Sequence, residues 1–97
     1  MDPLSALQSW YLAQCDGDWE HQYGVEIGTF DNPGWGLKID LCGTDAEGRT
    51  FDRVKIERTE NDWISCWVEK NEFHAVSGPQ NLEEGIGIFL RWFENSN

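Results

Sequence analysis

Apolar residues change their spacing along the chain, and each change marks an element. Leu4, Leu7, Tyr11 and Cys15 recur at helical spacing, with Trp10 and Leu12 flanking the stripe. Asp2 is placed to cap an early backbone N–H, and Pro3 suits the first helical position, where no donor is needed. A helix is therefore predicted over 3–14, with Gly17 ending the segment. Period-two alternation then takes over. Tyr23, Val25 and Ile27 alternate with Gly24, Glu26 and Gly28, and Trp35, Leu37, Ile39 and Leu41 share one face of a second strand. Between the two strands, Asp31-Asn32-Pro33-Gly34 is a strong turn signal.

Residues 43–49 read as a polar loop, and a third strand is predicted over 51–58 with Val54 and Ile56 inward. A turn at Glu60-Asn61-Asp62 leads to a fourth strand over 63–69, where Ile64, Cys66 and Val68 are assigned to the core and Trp63, Ser65 and Trp67 to the other face. Lys70-Asn71 turns into a weaker strand over 73–76. Gly78-Pro79 ends the sheet, and Asn81 with Glu84 has the outline of a capping box. Leu82, Ile86, Phe89, Leu90 and Phe93 follow as one helical stripe. Gly85 and Gly87 each weaken that helix by about 1 kcal/mol against alanine, and are read either as points of close approach or as the mark of a merely weak helix. The predicted fold is α+β: an N-terminal helix, a five-stranded antiparallel meander and a C-terminal helix, in one domain over 1–97, with both helices on one sheet face. Leu37, Ile39, Val54, Ile56, Phe89 and Leu90 are the predicted core. Phe30, Lys38, Asp40, Lys55, Glu57, Trp63, Ser65 and Trp67 then share the outer face, unless a helix covers each side and the tryptophans are core.

Charge narrows the function. With 18 acidic against 7 basic residues the net charge is −11, which repels nucleic acid and anionic membrane, themselves polyanions. A basic protein is attracted instead. Six tryptophans and 39% hydrophobic residues are too many for a disordered chain of that charge. Cys15, Cys42 and Cys66 are an odd set at wide spacing, which fits buried free thiols better than a disulfide framework or a zinc site. Met1-Asp2-Pro3-Leu4 has no positive secretory start, and no run approaches the roughly 20 apolar residues of a membrane span. A cytoplasmic protein is expected.

The densest polar cluster is Cys15-Asp16-Gly17-Asp18-Trp19-Glu20-His21. Thr29 and Phe30 stand where a calcium loop needs its bidentate glutamate, and Cys15 with His21 lacks two further zinc ligands. Its aspartates suit either local backbone capping or an acidic contact loop. His21 and His74 have no nucleophile beside them in sequence. Carboxylate pairs such as Asp16 with Asp18, or Asp40 with Glu57 on strands expected to be adjacent, are coincidences to be expected among so many acids. Neither Gly34-Trp35-Gly36 nor Gly85-Ile86-Gly87 matches a phosphate loop. No enzymatic activity, cofactor, metal or small-molecule substrate is expected.

The whole arrangement resembles the immunity 53 family, small antidotes of bacterial polymorphic toxin systems. Leu7-Gln8-Ser9-Trp10-Tyr11, the 15–27 block, Asp31-Asn32-Pro33-Gly34-Trp35, Leu37–Leu41, Asn61-Asp62-Trp63, Gly78–Glu84 and Phe89-Leu90-Arg91-Trp92 carry the likeness. It implies a protein that binds and neutralises a cognate toxin domain, and it carries over no catalytic residues. A basic toxin fits the acidity, a nuclease for example. The expected contact surface combines Asp16, Asp18 and Glu20 with Asp40, Glu57, Trp63 and Trp67, with carboxylates speeding encounter and indoles slowing dissociation. Competing classes are a small metal-dependent enzyme built on Cys15–His21 and an adaptor domain with no toxin.

Overall fold

The computed structural model describes residues 2–95; Met1, Ser96 and Asn97 of the expected 1–97 domain lie outside the described residues. Its elements are α1 (Pro3–Gln14), α2 (Trp19–Gln22), β1 (Val25–Phe30), β2 (Gly34–Asp40), β3 (Val54–Thr59), β4 (Asp62–Glu69), β5 (Glu72–Ser77) and α3 (Leu82–Glu94). The sheet is five-stranded and antiparallel, with an N-terminal and a C-terminal helix, an α+β arrangement. α1 begins as expected: the Asp2 carboxylate accepts from the Ser5 backbone N–H at 2.9 Å. The short α2 was not legible, because only four residues form it.

The strand order is β1-β2-β5-β4-β3, not the sequential order of a simple meander. β3, β4 and β5 do form successive hairpins, but it is β5 that pairs with β2. The side chains explain the exchange. β5 carries Phe73, Ala75 and Ser77, all buried, which suit a central strand. β3 carries Lys55, Glu57 and Arg58, and a charged strand is best tolerated at an edge. Residues 41–53 therefore run across one end of the sheet to the far edge. They are anchored by buried Leu41 and Ala46 and by Phe51, edge-on to Phe73 and Trp92. Lys70 and Asn71, both at positive φ (53° and 57°), make the tight turn between β4 and β5.

One hydrophobic cluster fills the space between the inner sheet face and the helices. Ile39, Leu41, Ile64, Cys66, Phe73 and Phe89 are its largest fully buried members. Burial pushes the Cys66 thiol up to about 12, so it stays protonated at neutral pH. Leu37, Ile39 and Phe89 are core as expected. Val54 and Ile56 are only half-buried because β3 is an edge strand, and Leu90 is half-buried because it lies at the flank of the helix face that Gly85, Ile86 and Phe89 bury. On α1 the buried face is Leu7 and Trp10, while Leu4, Tyr11 and Leu12 are exposed. The helix leans on α3: the Trp10 indole stands edge-on to Phe89 at 5.0 Å and to Phe93 at 5.5 Å.

The expected capping box takes another form. The Asn81 side chain makes no capping bond to its own helix. It turns toward β4, where Oδ1 accepts from the Trp63 backbone N–H at 3.3 Å and Nδ2 donates to Asp62 Oδ1 (2.9 Å) and Glu84 Oε1 (3.0 Å). Arg58 closes the network, donating to Asp62 at 2.8 Å and to both Glu84 oxygens at 3.1 and 2.6 Å. A buried amide has become the junction between α3 and the β3–β4 hairpin.

Two stability outcomes follow from this packing. Ile39→Ala removes a fully buried side chain and should cost about 2–5 kcal/mol, and Leu90→Ala clearly less, by chemical denaturation. The Arg58 bond holds the Glu84 carboxyl below its usual range, and the Asn81 and Arg58 bonds do the same for Asp62. Their stabilisation is complete above the unfolded values of about 4 and disappears as pH falls through the lowered folded values. Glu84→Gln should start from a lower denaturation midpoint at neutral pH and lose less of it on acidification to about pH 3; equal acid sensitivity would exclude this network as a contributor.

Candidate partner-binding face

α1 and α3 share the inner side of the sheet, and among the described residues no element lies on the outer side. The register fixes what that outer face presents. Across β1, β2, β5 and β4 runs a row of Glu26, Lys38, His74 and Trp67. Beside it, at the sheet end, runs a row of carboxylates: Asp40, Glu72 and Glu69 on β2, β5 and β4. On the other side lie Gly28, Gly36, Val76, Ser65 and Lys55.

Like charges directly opposite one another destabilise a sheet, so the carboxylate row needs partners. Asp40 Oδ2 accepts from the Gly24 backbone N–H at 2.9 Å. Glu72 lies 3.1 Å from His74 Nε2 and 3.7 Å from Lys38 Nζ. Glu69 accepts from the Trp67 indole N–H at 2.7 Å. Lys38 also pairs with Glu26 at 2.8 Å, the bond that chiefly holds its ammonium above the ordinary value. The Trp67 ring is fixed in turn: it stacks on His74 at 5.2 Å and 11°, and the Arg53 guanidinium lies over it at 5.1 Å. An indole restrained in this way loses little rotamer freedom when a partner covers it.

The glycine pair gives the face its relief. Gly28 and Gly36 carry no side chains, and with Val76 they floor a depression of about 300 Å³ walled by Phe30, Glu26 and Lys38. The Phe30 ring folds over Gly36, where an added Cβ would sit 3.1 Å from it, whereas a Cβ on Gly28 would meet nothing.

The residues expected from sequence to form one contact surface are divided. Asp40 and Trp67 both lie in this region, on β2 and β4 with β5 between them. Glu57 and Trp63 are partners on the same face, but Trp63 is four residues from Trp67 along β4, about 13 Å. Asp40 and Glu57 are not on adjacent strands, since β5 and β4 separate β2 from β3. Asp16, Asp18 and Glu20 sit apart, in the link around α2. There Asp16 Oδ1 accepts from the N–H groups of Asp18 and Trp19, both at 2.9 Å, and Glu20 accepts from Asp16 and Gly17. These bonds, first of all those from Trp19, lower the Asp16 carboxyl; Glu20 is lowered by its own backbone N–H and then by those of Asp16 and Gly17. The link is pinned by Trp19, a buried indole whose Nε1 donates to the Cys42 carbonyl at 2.8 Å. Sequence reasoning missed Glu69, Glu72, His74 and the Gly28–Gly36 floor. Alternation places all of them outward, but only the strand order, with β5 beside β2, brings the two hairpins that carry them together.

Cys15 Sγ donates to the Tyr11 carbonyl at 3.3 Å, and His21 is exposed on α2. Among the described residues no group of three or more His, Cys, Asp or Glu side chains is arranged to hold a metal ion. No helix among them is long and apolar enough to cross a membrane.

These features define a small acidic α+β protein with one sheet face left uncovered. The chain belongs to the immunity protein 53 family, whose profile matches residues 4–94. No curated protein matches the chain, and no solved structure matches it. Family membership gives it a toxin-neutralising role with a toxin as partner, and immunity proteins are in general not enzymes.

Proposed function

We propose that this protein neutralises a basic cognate toxin in the cytoplasm by stoichiometric, non-catalytic binding through the outer sheet face. The observation that carries the reading is the uncovered face itself, with a restrained Trp67 between a row of carboxylates and a glycine-floored depression. Apolar and aromatic surface left open on a sheet marks an interaction site, and tryptophan is enriched at the centres of interfaces. The carboxylates of the adjoining row, with a net charge of −11 behind them, steer a positively charged partner toward it. A nuclease is such a partner, because phosphate binding demands basic residues.

Asp40 and Trp67 belong to the contact centre in this reading, with Glu57 and Trp63 toward its far rim. Asp16, Asp18 and Glu20 act at a distance, through the field they add, since Asp16 and Glu20 are occupied with the backbone of their own link. Co-expression with the toxin encoded beside the gene tests the function: growth is restored and a one-to-one complex elutes on size exclusion. A toxin that still kills, with no complex formed, contradicts it.

The surface is tested by kinetics of the same complex. Trp67→Ala should raise the dissociation rate by about tenfold or more, as expected for a central anchor. Gly28→Leu fills the depression from a position where an added Cβ has open space around it, and should also speed dissociation with the denaturation midpoint unchanged. Neutralising Asp16, Asp18 and Glu20 together should slow association and flatten its salt dependence, leaving dissociation as it was. Wild-type rates for Trp67→Ala and Gly28→Leu place the interface elsewhere.

A further inference from the structure

The two edges of the sheet are built differently. β3 at one edge is armoured with Lys55, Glu57 and Arg58, and its register shifts between Glu57 and Thr59. Charges and bulges of this kind keep a foreign strand from pairing. β1, at the other edge, has Glu26 as its one charge, no proline and an unbroken register against β2.

The phase of the ladder says which backbone groups of β1 are free. Asp40 N–H donates to the Gly24 carbonyl, while Leu41 N–H donates the opposite way, to Asn71. Alternation then directs Glu26, Gly28 and Phe30 to β2, and turns the N–H and C=O groups of Val25, Ile27 and Thr29 away from the sheet. The side chains of those three residues point to the helix side, where α1 stops short of covering them. A groove of about 310 Å³ runs between α1 and β1, lined by Leu4, Leu7, Tyr11, Val25 and Ile27 among others. The exposed large hydrophobic residues among the described ones, Leu4, Tyr11, Leu12, Ile27 and Phe30, all belong to α1 or β1. Free strand edge and open apolar groove are thus continuous.

We infer that β1 receives an extended segment of the toxin as a sixth strand, with side chains alternating between apolar and basic. The inference rests on the toxin-binding reading and names the chemistry of the partner. Main-chain bonds to Val25, Ile27 and Thr29 supply affinity, and pockets for alternate side chains supply selectivity. On the inner side, apolar residues of the segment enter the groove. On the outer side, the residues between them lie beside Glu26, whose side chain is 74% exposed and is free to take a second cation besides Lys38. A second copy of this chain fits poorly, because it brings its own charge of −11 to the same edge.

The test uses a capped octapeptide of alternating valine and lysine, with a valine–glutamate octapeptide as control, and reads amide exchange by NMR. The lysine peptide should slow exchange at Ile27 and Thr29 by about tenfold or more, and the glutamate peptide should not. Thr29→Pro deletes an outward N–H that makes no ladder bond and should abolish the effect. Ile27→Lys, which places a cation in the groove mouth, should do the same and decides the matter if Thr29→Pro does not fold. Equal binding of both peptides, no protection at Ile27 and Thr29, or protection of these amides in a peptide-free dimer overturns the inference. Because no toxin is used, such a failure leaves growth rescue standing; peptide binding with failed rescue overturns the toxin reading alone.

Discussion

The close seating of α3 on the inner sheet face is the constraint on which the rest of the molecule depends. It is made possible at one residue. A Cβ on Gly85 would lie 3.3 Å from Ile64 Cδ1 and 3.4 Å from Ala75 Cβ, so the backbone of the helix rides directly over β4 and β5. From that contact Ile86 and Phe89 reach the cluster around Ile39 and Phe73. Both helix ends are then fastened to the sheet's connections. At the start, Asn81 and Glu84 hold the β3–β4 hairpin through Asp62 and Arg58. At the end, Arg49 donates to the Trp92 and Phe93 carbonyls at 2.6 and 3.4 Å, with its guanidinium 4.6 Å over the Trp92 ring. A cation there also complements the helix dipole.

This seating decides what the opposite face becomes. α1 finds its partner surface on α3 through Trp10, so both long helices crowd one side and the sheet presents the other. The strand order then collects on that side groups that are scattered in sequence. Asp40, Glu69 and Glu72 repel one another, and Lys38, His74 and the Trp67 indole offset the repulsion with bonds that are exposed to solvent and individually weak. A cationic partner relieves the same repulsion from outside. The face therefore gains more from a basic partner than a neutral face of equal area would.

Much of this was legible in the chain. Helical spacing and Asp2-Pro3 located α1, and the alternation around Leu37–Ile39 and Ile64–Val68 gave both the strands and the correct inner face. Trp63 and Trp67 are outside, as their alternation with Ile64 and Cys66 required. What failed was long-range. Hairpin logic pairs neighbours in sequence, and it carries no information on whether β3 or β5 lies beside β2. That single choice separates Asp40 from Glu57 and joins it to Glu72. Asn81 and Glu84 were recognised as a helix start, but the geometry of the amide depended on β4. Gly85 and Gly87 looked alike; only Gly85 meets the sheet, while Gly87 faces the Arg91 side chain. Of the carboxylates picked out for a partner, Asp16 is bound to its local backbone, as one of the two readings of that cluster had it, and Glu20 is bound there as well.

The central claim is that the toxin interface is centred on the bare sheet face around Trp67, away from the helical side around Trp92. Hydroxyl-radical footprinting of tryptophan oxidation in the free protein and in the toxin complex tests it most directly. Trp63 and Trp67 are half-buried on the outer face, and Trp92 is half-buried on the helical side with its Nε1 bonded to the Thr50 carbonyl at 3.0 Å. The account predicts that oxidation of Trp67 falls sharply in the complex, that of Trp63 falls less, and that of Trp92 is unchanged. Protection of Trp92 with Trp63 and Trp67 oxidised as in the free protein would contradict it.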